Sequence, residues 1–208
     1  MSEPNRRAGA LAQFIASAPL QSAAIVLAAL AGAIFLCVYL FADPKLVARE
    51  LRSPETILEL SGAGITSIAA VVAAFRIHVR GRTLPWRATP LALFATWQTL
   101  SVYSCLDVPL DKPAEQFLYG HSPSCFLFIL AVSIPVALIL FSVLRLHDEY
   151  LGWSASAMTG LAISSIAMFV LQFFHGFEMN LGDWGIHFLA MGIVVGSSAY
   201  VGQVMPSR

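Results

Sequence analysis

Six apolar stretches run along this chain, over residues 22–41, 57–75, 89–106, 125–144, 155–174 and 184–204, with short connections between them. Each holds about 18–21 residues, enough at about 1.5 Å per residue to cross a hydrocarbon core about 30 Å thick. Of the 208 residues 58% are hydrophobic and only 12% charged, against about a quarter charged in a soluble domain. Mean hydropathy is +0.75. With so little polar surface, water is the wrong solvent. The expectation is an all-α polytopic membrane protein, six transmembrane helices in an antiparallel bundle, filling residues 22–208 behind an arm at 1–21. Arg6 and Arg7 precede the first stretch as they would in a secretory signal. The run is too long for a signal core and no convincing small-residue cleavage site follows, so it is read as a retained span.

Orientation follows Lys and Arg. With the N-terminus inside, the inner segments hold Arg6, Arg7, Arg76, Arg80, Arg82, Arg87, Arg145 and Arg208, and the outer loops Lys45, Arg49, Arg52 and Lys112. The bias sets both termini in the cytoplasm of a bacterial inner membrane, although the first outer loop, with three cations, votes the other way. Net charge is zero, and no direct nucleic-acid contact is expected. In the arm, Leu11, Phe14, Ile15 and Ala18 recur at helical spacing. That suits either a helix on the inner headgroups or a plain basic flank.

The connections carry stop and start signals. Asp43-Pro44 ends the first span, and Ser53-Pro54 offers an N-cap and a proline at the first helical position of the second. Small residues at intervals of four mark packing faces: Gly192 and Gly196, Ser156 with Gly160 and Ser164, Ala69 with Ala73, and Ala70 with Ala74. In lipid, close backbone approach through such residues holds helices together. Packing within the chain is the expectation, with a homodimer through Gly192 and Gly196 the alternative. Pro135 should kink the fourth span.

The residues able to respond to chemistry lie at the outer side. Cys105 ends the third span and Cys125 opens the fourth. If those spans are neighbouring antiparallel helices, their axes lie about 8–10 Å apart, and a disulfide needs Cα atoms within about 7 Å. A permanent disulfide staple, a reversible redox or metal-responsive thiol pair, and unlinked core cysteines all fit. Cys37, in the first span, reads as a small apolar filler. His121, His175 and His187 fall on the same side, and thiolate with imidazole suits transient binding of zinc, cadmium or copper. Their spacing matches no closed zinc motif, and no resident cofactor is implied. No carboxylate or histidine sits mid-span, where it would mark an ion pathway. Gln98 and Gln172 read as interhelical hydrogen-bonding partners. With no CxxC and no phosphate loop, the chain does not read as an enzyme. On the inner side, Arg76, Arg80, Arg82, Arg87 and Arg145 suit anionic lipid or an acidic protein partner.

Several short pieces together resemble the NrsF-type negative regulators of sigma factors. They are Ala42-Asp43-Pro44, Leu58-Glu59-Leu60, Ala73-Ala74-Phe75, Ser104-Cys105, Ser122-Pro123-Ser124-Cys125-Phe126, Ser133-Ile134-Pro135, Phe173-Phe174-His175 and Trp184-Gly185-Ile186-His187. The chain departs at Leu144-Arg145-Leu146, where the family often has Leu-Arg-Arg. The resemblance implies a six-span inner-membrane anti-sigma factor that holds an extracytoplasmic-function sigma factor and releases it under heavy-metal or oxidative stress. It implies that Cys105 and Cys125 are the sensing pair, and that His175 and His187 match recurrent histidines. The rival readings are a small membrane carrier or thiol-redox protein, which predicts uptake or turnover, and a structural membrane scaffold.

Overall fold

The computed structural model describes residues 19–80, 84–106, 122–147, 152–174 and 181–204, and all regular structure among them is helical. In chain order the helices are α1 (Pro19–Phe41), α2 (Pro44–Glu50), α3 (Pro54–Arg80), α4 (Leu84–Leu106), α5 (Ser122–His147), α6 (Trp153–Leu171) and α7 (Leu181–Val204). Every apolar stretch falls on a long helix. The fifth overshoots, since residues 172–174 form a turn past the end of α6.

The caps explain the boundaries. The Asp43 carboxylate accepts the Lys45 backbone N–H at 2.9 Å, and Pro44, which has no N–H to satisfy, opens α2. This short helix occupies most of the first connection. Ser53 starts α3 as its sequence predicts: its hydroxyl accepts the Thr56 N–H at 3.4 Å and its carbonyl the Ile57 N–H at 3.1 Å. Pro90 and Pro135 sit inside α4 and α5 without ending them.

Five helices, α1, α3, α5, α6 and α7, are long and apolar enough to cross a membrane. The third expected span, α4, has the length, at 23 residues, but Thr89, Thr96, Gln98, Thr99 and Ser101 lower its apolar content. Gln98, Thr99 and Ser101 are hydrogen-bonded within the protein. α4 buries Trp97, Gln98 and Ser101 and turns Leu91, Leu100 and Tyr103 outward. The exposed Thr99 returns its hydroxyl proton to the Ala95 carbonyl at 2.8 Å.

α6 is the centre. Its span is 89% buried, as befits a helix apolar on all sides, and it packs against α3, α5 and α7. Small residues allow this. A Cβ on Gly160 would lie 2.8 Å from Val195 Cα and 2.7 Å from Ser198 Cβ, so α7 passes almost in backbone contact. Ala70, Ala73 and Ala74 give α3 a similar close face. The Gly192 and Gly196 pair differs from expectation: both glycines are exposed, with nothing within 4 Å of an added Cβ. The reason is the neighbouring stripe Ala190, Met191, Val194 and Ser198, which is bulkier and faces inward instead.

A second expectation is corrected here. α4 packs on α3 and α7, while α5 packs on α6, α7 and α1. The two cysteine-bearing helices therefore meet mainly through their shared neighbour α7, which packs on both. Cys37 is only half-buried, one turn from the end of α1, and is not a core filler.

Candidate functional site

At one end of the bundle, where α4 and α6 finish and α3, α5 and α7 begin, five helices contribute to one buried cluster. It joins Ala63, Trp97, Cys125, Ile129, Met168, Leu171, Ala190 and Met191. Polar groups are set into this apolar frame. Glu59, one turn and a half into α3, is 7% exposed. A carboxyl taken out of water is costly unless hydrogen-bonded. Trp97 Nε1 donates to Glu59 Oε2 at 2.7 Å, and the Ser101 hydroxyl donates to the Trp97 carbonyl at 3.0 Å. Gly62 makes the approach possible, because a Cβ there would lie 2.4 Å from Trp97 Cδ1 and 2.5 Å from Cγ.

The residue after Trp97 reaches the other way. Gln98 Oε1 accepts the Trp184 Nε1–H at 3.0 Å, as expected of an interhelical partner. Two consecutive residues of α4 thus fasten it to α3 and to α7. Aromatic rings reinforce the second seam: Phe94 stacks on Phe188 at 6.1 Å and Trp184 on Phe188 at 5.2 Å, while Phe94 meets Trp97 edge-on at 6.0 Å. Gln172 is the C-cap residue of α6, its backbone N–H bonded to the Met168 carbonyl.

Cys125 is buried in the first turn of α5 and carries a free thiol. Asp183, in the first turn of α7, is close enough to act on it electrostatically. Asp183 and His187, one helical turn apart, are both 2% exposed. Cys105 lies in the last turn of α4, at the same end, but its side chain falls outside the described residues, as do His121 and His175. Among the described residues no three of His, Cys, Asp and Glu gather to hold a metal ion, so Cys125, Asp183 and His187 do not by themselves make a ligand set.

Sequence reasoning named His187 but missed Glu59 as a buried ionisable group. Glu59 lies less than a turn inside its apolar stretch, so a search for mid-span charge passes over it. The available signal was an acid between Leu58 and Leu60, with indole donors in other stretches.

The candidate arginines gather at the opposite end. Arg76 and Arg80 are in the last turns of α3, Arg87 in the first turn of α4 and Arg145 in the last turn of α5. Arg76 is half-buried, and Arg87 and Arg145 are exposed. The Arg80 side chain and all of Arg82 lie outside the described residues. The bundle therefore has a thiol and carboxyl end and a guanidinium end, about 27 Å apart along α4 from Arg87 to Cys105 at 1.5 Å per residue.

No curated protein and no solved structure matches the chain. Residues 6–205 match the family described as negative regulator of sigma F. With nearly its whole length matched, the chain belongs to the NrsF family, the negative regulators of sigma F.

Proposed function

We propose that this protein is an integral inner-membrane anti-sigma factor that binds an extracytoplasmic-function sigma factor at its arginine end and releases it when Cys105 and Cys125 meet a heavy metal or an oxidant. It acts by binding and not by catalysis. Six spans, with both termini in the cytoplasm, fit the excess of Lys and Arg in the inner segments. Counting α4 as a span is supported by the internal hydrogen bonds of Gln98, Thr99 and Ser101, since a lipid-facing helix must satisfy its polar groups within the protein.

The observation that carries the reading is α4 itself. One continuous helix bears Cys105 near one end and Arg87 near the other. It is fastened to its neighbours by side-chain hydrogen bonds, Trp97 to Glu59 and Trp184 to Gln98. Because α4 and α5 meet through α7, a thiol event shifts α4 against α3 and α7 instead of sliding the two cysteine helices directly. Such a shift repositions Arg76, Arg80, Arg82 and Arg87, where α3 ends and α4 begins. A ligand drives it only by binding one arrangement better than the other, and a coupling of about 1–3 kcal/mol changes sigma affinity about 5–150-fold.

The test is a mild-detergent pull-down of the tagged protein from unstressed cells and from cells exposed to metal or oxidant. A sigma factor retained at rest and lost on exposure is expected, with retention under both conditions in a Cys105→Ser, Cys125→Ser double variant. No sigma factor in either state sinks the reading. Normal release from the double variant removes the cysteines from it.

A further inference from the structure

A groove of about 380 Å³ opens between α4, α6 and α7 at the arginine end of the bundle. It has the size of a small-ligand site. Its walls are apolar, with Leu91, Ala157, Leu161 and Val195 among them. The stacked rings of Phe94 and Phe188, 6.1 Å apart, close its deep end. Gly192 lines it without a side chain, and a Cβ there would touch nothing within 4 Å. The mouth holds the exposed Arg87 and Trp153. Among the described residues Arg87 is the one charged residue of the lining, and no acid stands with it there.

We propose that this groove holds an acyl chain of an anionic phospholipid whose headgroup phosphate rests on Arg87 and the Trp153 indole. The inference rests on the membrane placement proposed above. The seven residue steps from Arg87 to Phe94 give the groove a depth of about 10 Å along α4, into the hydrocarbon region from the headgroup level. Arginine suits a phosphate, and tryptophan sits naturally at the membrane interface with its one N–H donor turned to the polar side. The cytoplasmic leaflet, where the orientation argument sets this end, is the anionic one. A free phosphate would leave the apolar walls unfilled, and a partner helix about 10–12 Å across is too broad for a groove that the two rings close off. The outward face of Gly192, with nothing within 4 Å of an added Cβ, is then the open side that admits the acyl chain.

The experiment reconstitutes the full chain in phosphatidylcholine vesicles containing a minor fraction of phosphatidylglycerol with the same acyl chains. The protein is re-extracted in mild detergent, and the retained lipid is measured by mass spectrometry. Phosphatidylglycerol should be enriched roughly five-fold over the vesicle composition, the effect of one cation near an anionic surface. Arg87→Gln should return the ratio to that of the vesicle. Gly192→Leu, which fills the groove and leaves the cation in place, should do the same; Ala157→Leu serves if that variant does not extract folded. No enrichment in the wild type, or enrichment that survives both kinds of variant, overturns the lipid site. Resistance of the protein to alkaline carbonate separates the two ideas. Protein that resists the wash but shows no enrichment overturns the groove alone, and protein that washes off overturns the membrane placement with it.

Discussion

Adding one methyl at Gly62 should unfasten α4 from α3. A Cβ there would sit 2.4, 2.5 and 3.0 Å from Trp97 Cδ1, Cγ and Cβ, where carbon atoms rest comfortably at about 3.5–4.0 Å. The indole is rigid and buried, so it must retreat by about 1 Å to restore contact. Its hydrogen bond to Glu59, now 2.7 Å, would then stretch to about 3.7 Å, beyond a real bond. Overpacking costs about 1–3 kcal/mol, and a lost bond to a carboxyl about 1.5–3 kcal/mol. The better helix propensity of alanine returns about 1 kcal/mol. Gly62→Ala should therefore destabilise by about 1.5–5 kcal/mol. The assay is reversible unfolding of the purified protein in mixed micelles by increasing sodium dodecyl sulfate, read by circular dichroism. Repeating it in a Trp97→Ala background isolates the contact. With the indole gone, the added methyl has room, and Gly62→Ala should cost close to nothing. An equal cost in both backgrounds would refute the reasoning, because the penalty would then not pass through Trp97.

Three further outcomes follow from the same packing. Gly160→Ala should destabilise by about 1–3 kcal/mol, since its Cβ meets Val195 backbone at 2.8 Å and backbone cannot step aside; Gly192→Ala, with open space around it, should be neutral or up to about 1 kcal/mol stabilising, measured by the same unfolding. Trp184→Phe removes the donor to Gln98 while keeping a ring for the stack on Phe188, and should cost about 0.5–1.5 kcal/mol; a Gln98→Leu, Trp184→Phe pair that recovers most of that loss would identify the unsatisfied amide as its source.

The positions of the long helices were legible because the signal is local. A run of about 20 apolar residues is long enough to span whatever surrounds it, and Ser53-Pro54 announces a helix start through its own backbone chemistry. Both cysteines falling at one end and the arginines at the other also follows from counting alternating helices. What the sequence could not fix is which face of each helix turns inward. The GxxxG pair at Gly192 and Gly196 is as good a packing motif as Gly160 with its neighbours, yet only Gly160 is used within the chain. Nor could loop length show that α4 and α5, consecutive in the chain, take α7 as a common neighbour.

By itself, then, the sequence determined an all-helical chain with its reactive groups sorted to opposite ends, because helix formation and end chemistry depend on residues close in the chain. Only the tertiary structure decided that Glu59 would be matched by Trp97 and Gln98 by Trp184, across 38 and 86 residues of separation. Such pairings depend on how the helices are rotated and arranged, and that is settled by close approach at Gly62 and Gly160 and by the space each side chain fills.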